Sequence, residues 1–264
     1  MRDVTLAKLA LPGLLLVMSQ PAFASTFWPQ QAKPLTRAQV VAMRAMAGRP
    51  LRTGVVIIDD QIFRERTLLL SGFSATPWPK GEIIYSFQPT LTVAQKRAFL
   101  SACDLWKAVA KVSCVLRGNQ PDYVLVSSST VNNADIGKPN GVGEINILSW
   151  GAPYRIAHEI GHSLGLNHEQ CRSDRDTYVG ILTANIIKGK EHNFKKEATV
   201  NQSVYDFDSV MHYPGDAFGT PVNGVDSMTI RVKPPNEVKQ NVIGQRSRLS
   251  TRDGTGMAKQ YGDP

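Results

Sequence analysis

Hydrophobic and polar positions along this chain fall into segments of distinct period. In WPKGEIIYSF, which begins at Trp78, Ile83, Tyr85 and Phe87 alternate toward one face, the two-residue period of a half-buried strand. Residues 90–112 change to a helical period, and Thr90 or Thr92 offers the side-chain oxygen that caps a helix start. Residues 123–128 return to the strand pattern. Upstream, residues 36–47 form an amphipathic helical stretch stopped by Gly48 and Pro50, and residues 55–58 read as a strand. The first residues differ from all of these. Arg2 and Lys8 flank an apolar run over residues 9–18, broken by Pro12 and Gly13, and Ala22-Phe23-Ala24 supplies a small-x-small cleavage signature before Ser25. Residues 1–24 are therefore expected to be a secretory signal peptide and the protein to be secreted, extracellular or periplasmic. The run is too short to span a membrane, and no later stretch approaches the roughly 20 apolar residues of a spanning helix. No integral membrane segment is expected, nor a lipid anchor, since no cysteine follows the signal.

Composition adds limits. The 264 residues are 42% hydrophobic, enough to bury a core in one or two domains. A formal charge of +8 and a pI near 9.5 suit acidic substrates or anionic surfaces. Lys188, Lys190, Lys195 and Lys196 cluster without interleaved aromatics or a nucleic-acid motif, so they read as a solvated face and no nucleic-acid partner is expected. Cys103, Cys114 and Cys171 are an odd number, which leaves at least one thiol unpaired or intermolecular. A bond between Cys103 and Cys114 and a bond from Cys171 both stay open.

The chemistry concentrates in HEIGHSLGLNHEQCRSDRD, residues 158–176. On a helix, positions four apart share a face, so His158 and His162 can present imidazoles to one zinc ion, with Glu159 beside them as general base. His168 lies ten residues beyond His158, roughly 15 Å along a continuous helix at 1.5 Å per residue, out of bonding reach. The helix must stop first, and Gly165 accepts the positive φ with which helices commonly end. The pattern HExxHxxGxxH also calls for a downstream Met-turn. YDFDSVMHY, residues 205–213, supplies Met211, with Pro214 and Gly215 as punctuation. Four of the five histidines fall in these two motifs, and His192 is expected at the surface.

On these residues the chain resembles the astacin family of zinc endopeptidases. Glu169, Arg172, Asp174, Arg175, Asp176 and Tyr178 are similar to the family's HExxRxDRDxY; Ser209, Met211, His212 and Tyr213 resemble its SxMHY; and GQRSRLSTRDGTGMAKQYG, residues 244–262, resembles its closing segment. The resemblance implies an α+β metzincin fold. A twisted, mostly parallel sheet with an antiparallel edge strand and the zinc helix would form an upper subdomain, and an irregular lower subdomain would carry the Met-turn and a C-terminal helix. The cleft would run between residues 67–168 and 169–264. GEINILS, residues 143–149, would lie on the sheet edge bordering that cleft, where an extended substrate could add a strand.

The resemblance further implies one catalytic zinc ion per chain, held by His158, His162 and His168. Zinc brings the pKa of a bound water from 15.7 toward about 7. Glu159 would act as general base and Tyr213 would contact zinc at rest, then stabilise the oxyanion of the reacting peptide. Met211 would be a structural floor. The expected activity is hydrolysis of protein or peptide substrates by a secreted zymogen, with residues 25–66 as propeptide and 67–264 as catalytic domain. The alternative is a catalytically inactive metal-binding or adhesion protein on the same scaffold. An aspartate would hold zinc in the latent form; Asp59 or Asp60 is the nearest equivalent, although Ile58-Asp59-Asp60-Gln61 departs from the family's FxGD-like motif. A cysteine switch is excluded, because residues 25–66 contain no cysteine. Arg64-Glu65-Arg66 would suit an activating protease that cuts after basic residues.

Overall fold

The computed structural model describes residues 55–64, 76–197, 199 and 201–264. The expected signal peptide, the helical stretch over residues 36–47 and most of the candidate propeptide lie outside the described residues.

Seven strands form one twisted sheet: β1 (Val55–Ile58), β2 (Gln61–Arg64), β3 (Glu82–Phe87), β4 (Ser113–Leu116), β5 (Tyr123–Ser128), β6 (Asn133–Asp135) and β7 (Val142–Ile147), in the order β1-β2-β6-β7-β5-β3-β4. The pairs β3–β4, β3–β5 and β5–β7 are parallel, and β6 runs antiparallel to β7. This is the mixed, mostly parallel α+β arrangement expected. The alternation in β3 buries Ile83 and Tyr85, and Phe87 packs against the same core. Helix α1 (Val93–Lys107) starts at Thr92 rather than Thr90. The Thr92 hydroxyl accepts from the Gln95 N–H at 3.2 Å while the Gln95 side chain accepts from the Thr92 N–H at 2.9 Å, a reciprocal cap that satisfies two orphan donors.

Topology corrects one expectation. GEINILS is not at the edge: β7 lies between β5 and β6, hydrogen-bonded on both sides. Beyond β7 lies the three-residue β6, and the β1–β2 hairpin is laid onto it, with β2 parallel to β6.

The sheet, α1 and helix α2 (Pro153–Ser163) enclose one core around Phe99, Trp106, Ile145 and Ile160. A second cluster, including Val179, Phe194, Tyr205, Tyr213 and Ile230, organises the mostly irregular part of the chain beyond residue 169. There the short strands β8 (Val179–Ile181) and β11 (Ile230–Val232) pair, β9 (Pro221–Val222) pairs with β10 (Val225–Asp226), and helix α3 (Thr251–Tyr261) closes the chain. Met257 of α3, with Val210 and Met211, joins the first core, so both halves share buried apolar contacts. Cys103 of α1 is bonded to Cys114 of β4, and Cys171 is a buried free thiol. Among the described residues no helix is long and apolar enough to cross a membrane.

Candidate metal centre

Helix α2 begins at Pro153, whose missing N–H is no loss in a first turn. From Ile156 to its end at Ser163 it is buried throughout. The Trp106 indole donates to the Ala157 carbonyl at 2.8 Å, fixing α2 against α1. Gly161 lies where Trp106 and Met211 meet the helix; a Cβ there would come within 2.9 Å of the Met211 sulfur. The helix ends as its sequence demands. Gly165 takes φ 103°, its N–H bonds the His162 carbonyl at 2.8 Å, and the Leu166 N–H bonds the Gly161 carbonyl at 2.9 Å. Two last-turn carbonyls find partners far away in sequence: Trp78 Nε1 donates to Ser163 O and the Tyr261 hydroxyl to Leu164 O, each at 2.8 Å.

That reversal brings His168 beside His158 and His162, and all three are at most 2% exposed. Asp60, in the turn of the β1–β2 hairpin, faces them: its oxygens lie 3.0 Å from His158 Nε2, 3.3 Å from His162 Nε2 and 2.9 Å from His168 Nε2. One ligand atom from each of the four residues falls within 4.8 Å of the others. His192, expected at the surface, is half-buried in a short 3-10 turn and is not one of the four.

The donor chemistry tests whether this group suits a metal. His158 Nδ1 lies 2.8 Å from the Val210 carbonyl and His162 Nδ1 2.8 Å from the Leu166 carbonyl. A carbonyl only accepts, so both Nδ1 atoms carry the proton and both Nε2 atoms turn lone pairs inward. Burial, with Arg246 nearby, pushes the His158 imidazole down to about 3, so it is neutral. The two Nε2 atoms are nonetheless 3.1 Å apart, and each faces carboxylate oxygen. His168 Nε2 and Asp60 Oδ1 are buried without a hydrogen-bond partner. Acceptors converging on one point repel unless a cation lies among them, and three imidazoles with a carboxylate form a zinc-type donor set. The residues fit the ion.

Glu159, 2% exposed, has an oxygen without a hydrogen-bond partner, and its carboxyl is held well above the ordinary range by burial and then by Asp60 and Asp59. Tyr213 is 4% exposed, its ring centroid 4.4 Å from that of His168. Its hydroxyl donates to Asp59, and burial and then the Asp59 charge raise its pKa well above 10. Asp59 itself is pushed up to about 7 by burial and the adjacent Asp60. The two aspartates left open by sequence thus stand in different places, Asp60 at the histidines and Asp59 at Tyr213.

Residues outside the expected set position this group. The Val210 carbonyl that orients His158 belongs to the segment carrying Met211, and Asp253 of α3 fixes that segment. One Asp253 oxygen accepts from the Ser209 hydroxyl at 2.7 Å and the other from the Val210 N–H at 2.9 Å. Asp253 also completes a reciprocal cap with Ser250 at the start of α3. The S-x-x-D spacing of Ser250 and Asp253 was the available signal. Gln170 accepts from the Tyr213 N–H at 3.0 Å, and the Glu169 N–H bonds the Met211 carbonyl at 3.2 Å, so the loop after His168 and the Met211 segment hold each other. Cys171 sits 3.3 Å from the Asn193 carbonyl, and burial pushes its thiol up to about 12, which leaves it neutral and outside the donor set.

The chain is similar to known proteins in sequence and in fold. The peptidase family described as Astacin matches residues 72–262. High choriolytic enzyme 1 of Oryzias latipes is 42% identical over 150 residues, 56% of this chain and 53% of that protein. Flavastacin of Elizabethkingia meningoseptica is 34% identical over 207 residues, 75% of this chain and 45% of that protein. The chain thus spans about half the length of these curated relatives. In structure it is similar to high choriolytic enzyme 1, described as a hatching enzyme zinc-protease, with a TM-score of 0.64 and 31% identity over 72% of this chain and 94% of that one. The structure of myroilysin, 19% identical with a TM-score of 0.52 over 72% of this chain and 97% of that one, shares the fold.

Proposed function

The chain belongs to the astacin family, and from that premise we propose that it is a secreted zinc-dependent endopeptidase, made as a latent precursor, that hydrolyses peptide bonds within proteins. The observation that carries this reading is the convergence of three buried histidine nitrogens, two of them with the ring proton committed to a backbone carbonyl, with Glu159 on the same helix. His158, His162 and His168 would hold the zinc, which when bound supplies a Lewis acid and a water of lowered pKa. Glu159 takes the proton of the attacking water and delivers it to the departing amine nitrogen. Its burial favours the neutral, proton-bearing form that the second half of that task needs. Tyr213, released from Asp59, donates its hydroxyl proton to the oxyanion that develops on the scissile carbonyl. An extended substrate segment would use the backbone of β6 and the residue after it, where the Ala134 and Ile136 N–H groups bond the hairpin.

In this reading residues 1–24 are the export signal, 25–66 the propeptide and 67–264 the catalytic domain. The position of Asp60 supports latency, because its carboxylate sits against the ligand nitrogens. A cut at Arg64-Glu65-Arg66 by a protease selective for basic residues would sever the hairpin from the domain. The test is digestion of an unfolded, casein-like protein by the full chain after tryptic trimming, with zinc, beside a Glu159→Ala twin. Cleavage by the native chain alone is expected. No cleavage by either, with one zinc bound per chain, would overturn the reading in favour of an inactive metal-binding scaffold.

A further inference from the structure

We propose that the cleft is a binding site for a β-hairpin with two consecutive turn carboxylates, and that Asp59 is a second anchor, independent of Asp60, which holds the hairpin in place by capturing the Tyr213 hydroxyl. The inference deepens the latency reading above and rests on it.

The hairpin's register leaves only Asp59 and Asp60 in the turn, since Ile58 pairs with Gln61. Asp59 adopts φ 53°, a left-handed conformation that aspartate tolerates better than most residues. Adjacent carboxylates at a half-buried turn repel each other and lose part of their hydration, so the placement is stabilised when each has its own partner. Each does: Asp60 meets the three histidine nitrogens and Asp59 accepts from Tyr213. The flanking strand adds sequence-tolerant contacts. The Ala134 N–H bonds the Asp60 carbonyl at 2.8 Å, the Ile136 N–H bonds the Ile62 carbonyl at 3.3 Å, and Phe63 packs on Ile136. Gln61 donates to the Asn167 side chain at 3.2 Å, reaching the loop between Gly165 and His168.

Two functions are occupied at once. Asp60 faces the metal ligands, and Asp59 takes the one proton the Tyr213 hydroxyl can donate. Removing Asp60 alone would leave the hairpin held at Tyr213 and along β6, with the oxyanion donor still engaged.

The measurement is hydrogen exchange of residues 55–64 in the uncut, zinc-loaded precursor, for the native chain, Asp59→Ala, Tyr213→Phe and the double variant. Breaking a part-buried bond to a carboxylate should lower hairpin protection about ten- to hundredfold. Each single change should do so, and the double variant should lose no more than the larger single effect, because both remove one interaction. Phenylalanine conserves the volume of Tyr213, and unchanged exchange in α2 verifies that these variants fold. Unchanged protection in Tyr213→Phe, effects that multiply in the double variant, or an unprotected hairpin in the native chain would each overturn the proposal. The readout needs no turnover, so it stands apart from the casein test: a protected, coupled hairpin on an inactive chain would support Asp59 as an anchor while the endopeptidase reading failed.

Discussion

At the residue scale, the centre depends on which nitrogen of each histidine carries the proton, and for His158 and His162 that choice is made by the backbone carbonyls of Val210 and Leu166. The side chains proposed to take part in the reaction can be separated by experiment. Glu159→Ala should keep one zinc per chain while lowering hydrolysis by several orders of magnitude; metal analysis and turnover on the same sample check this, and ordinary turnover would remove Glu159 from the mechanism. Tyr213→Phe in the trimmed protein should leave metal content alone and lower kcat roughly 100- to 1,000-fold, the range for losing one oxyanion donor. The convergence of the three histidines was legible because four-residue spacing and a helix-ending glycine are local geometry. Their carbonyl partners were not, since every residue carries a carbonyl and only tertiary packing selects two. The choice between Asp59 and Asp60 was equally closed to sequence. Neighbouring residues in a two-residue turn diverge, and their directions follow from Asp59 entering the left-handed region.

At the scale of elements, strands and helices with strong periods were read well, β3, β5 and α1 among them, whereas β6 was missed and β7 was placed at the edge. Asn133-Ala134-Asp135 is too short to show a period, and edge position is a property of pairing between distant segments. The same limit hid the role of α3. Its cap residue Asp253 reaches across 43 positions of sequence to Val210, and through Val210 it orients His158. Asp253→Ala should strand the Val210 N–H and the Ser209 hydroxyl, costing roughly 1–3 kcal/mol of stability. It should also loosen the carbonyl behind His158 and weaken zinc binding about 10- to 100-fold, the usual effect of losing an outer partner of a ligand. Competition with a chelator of known affinity measures the second effect, and undiminished affinity would confine Asp253 to capping. Gly165→Ala strains the reversal that ends α2: alanine at φ 103° is disfavoured, so stability measured in denaturant should fall by about 1–3 kcal/mol.

At the scale of the whole molecule, Met211 and Met257, from the part of the chain beyond residue 169, are buried in the first apolar cluster, and the cysteines are distributed so that covalent bracing stays within that cluster. The odd count left the pairing open in sequence; proximity settles it, because the end of α1 and the start of β4 are brought together by the parallel pairing of β4 with β3. A loop of 11 residues closed by this bond removes unfolded-state entropy worth roughly 2–3 kcal/mol, so a Cys103→Ser, Cys114→Ser double variant should be destabilised by about that amount in denaturant titration. Cys171 should behave differently. Its thiol is raised from 9.0 to about 12 by burial, so the fold favours the neutral form. That contribution to stability is complete below the unfolded value near 9 and is lost as pH rises from there toward 12. Alkylation at pH 8.5 should therefore be slow in the native protein, since the thiolate is the reactive form. One thiol per chain should react after denaturation without reductant and three after reduction, matching the three cysteines of the chain. Rapid labelling of the native protein would place Cys171 at an accessible surface and contradict the packing of the 169–197 segment around it. Three reactive thiols without reductant would break the link between α1 and β4.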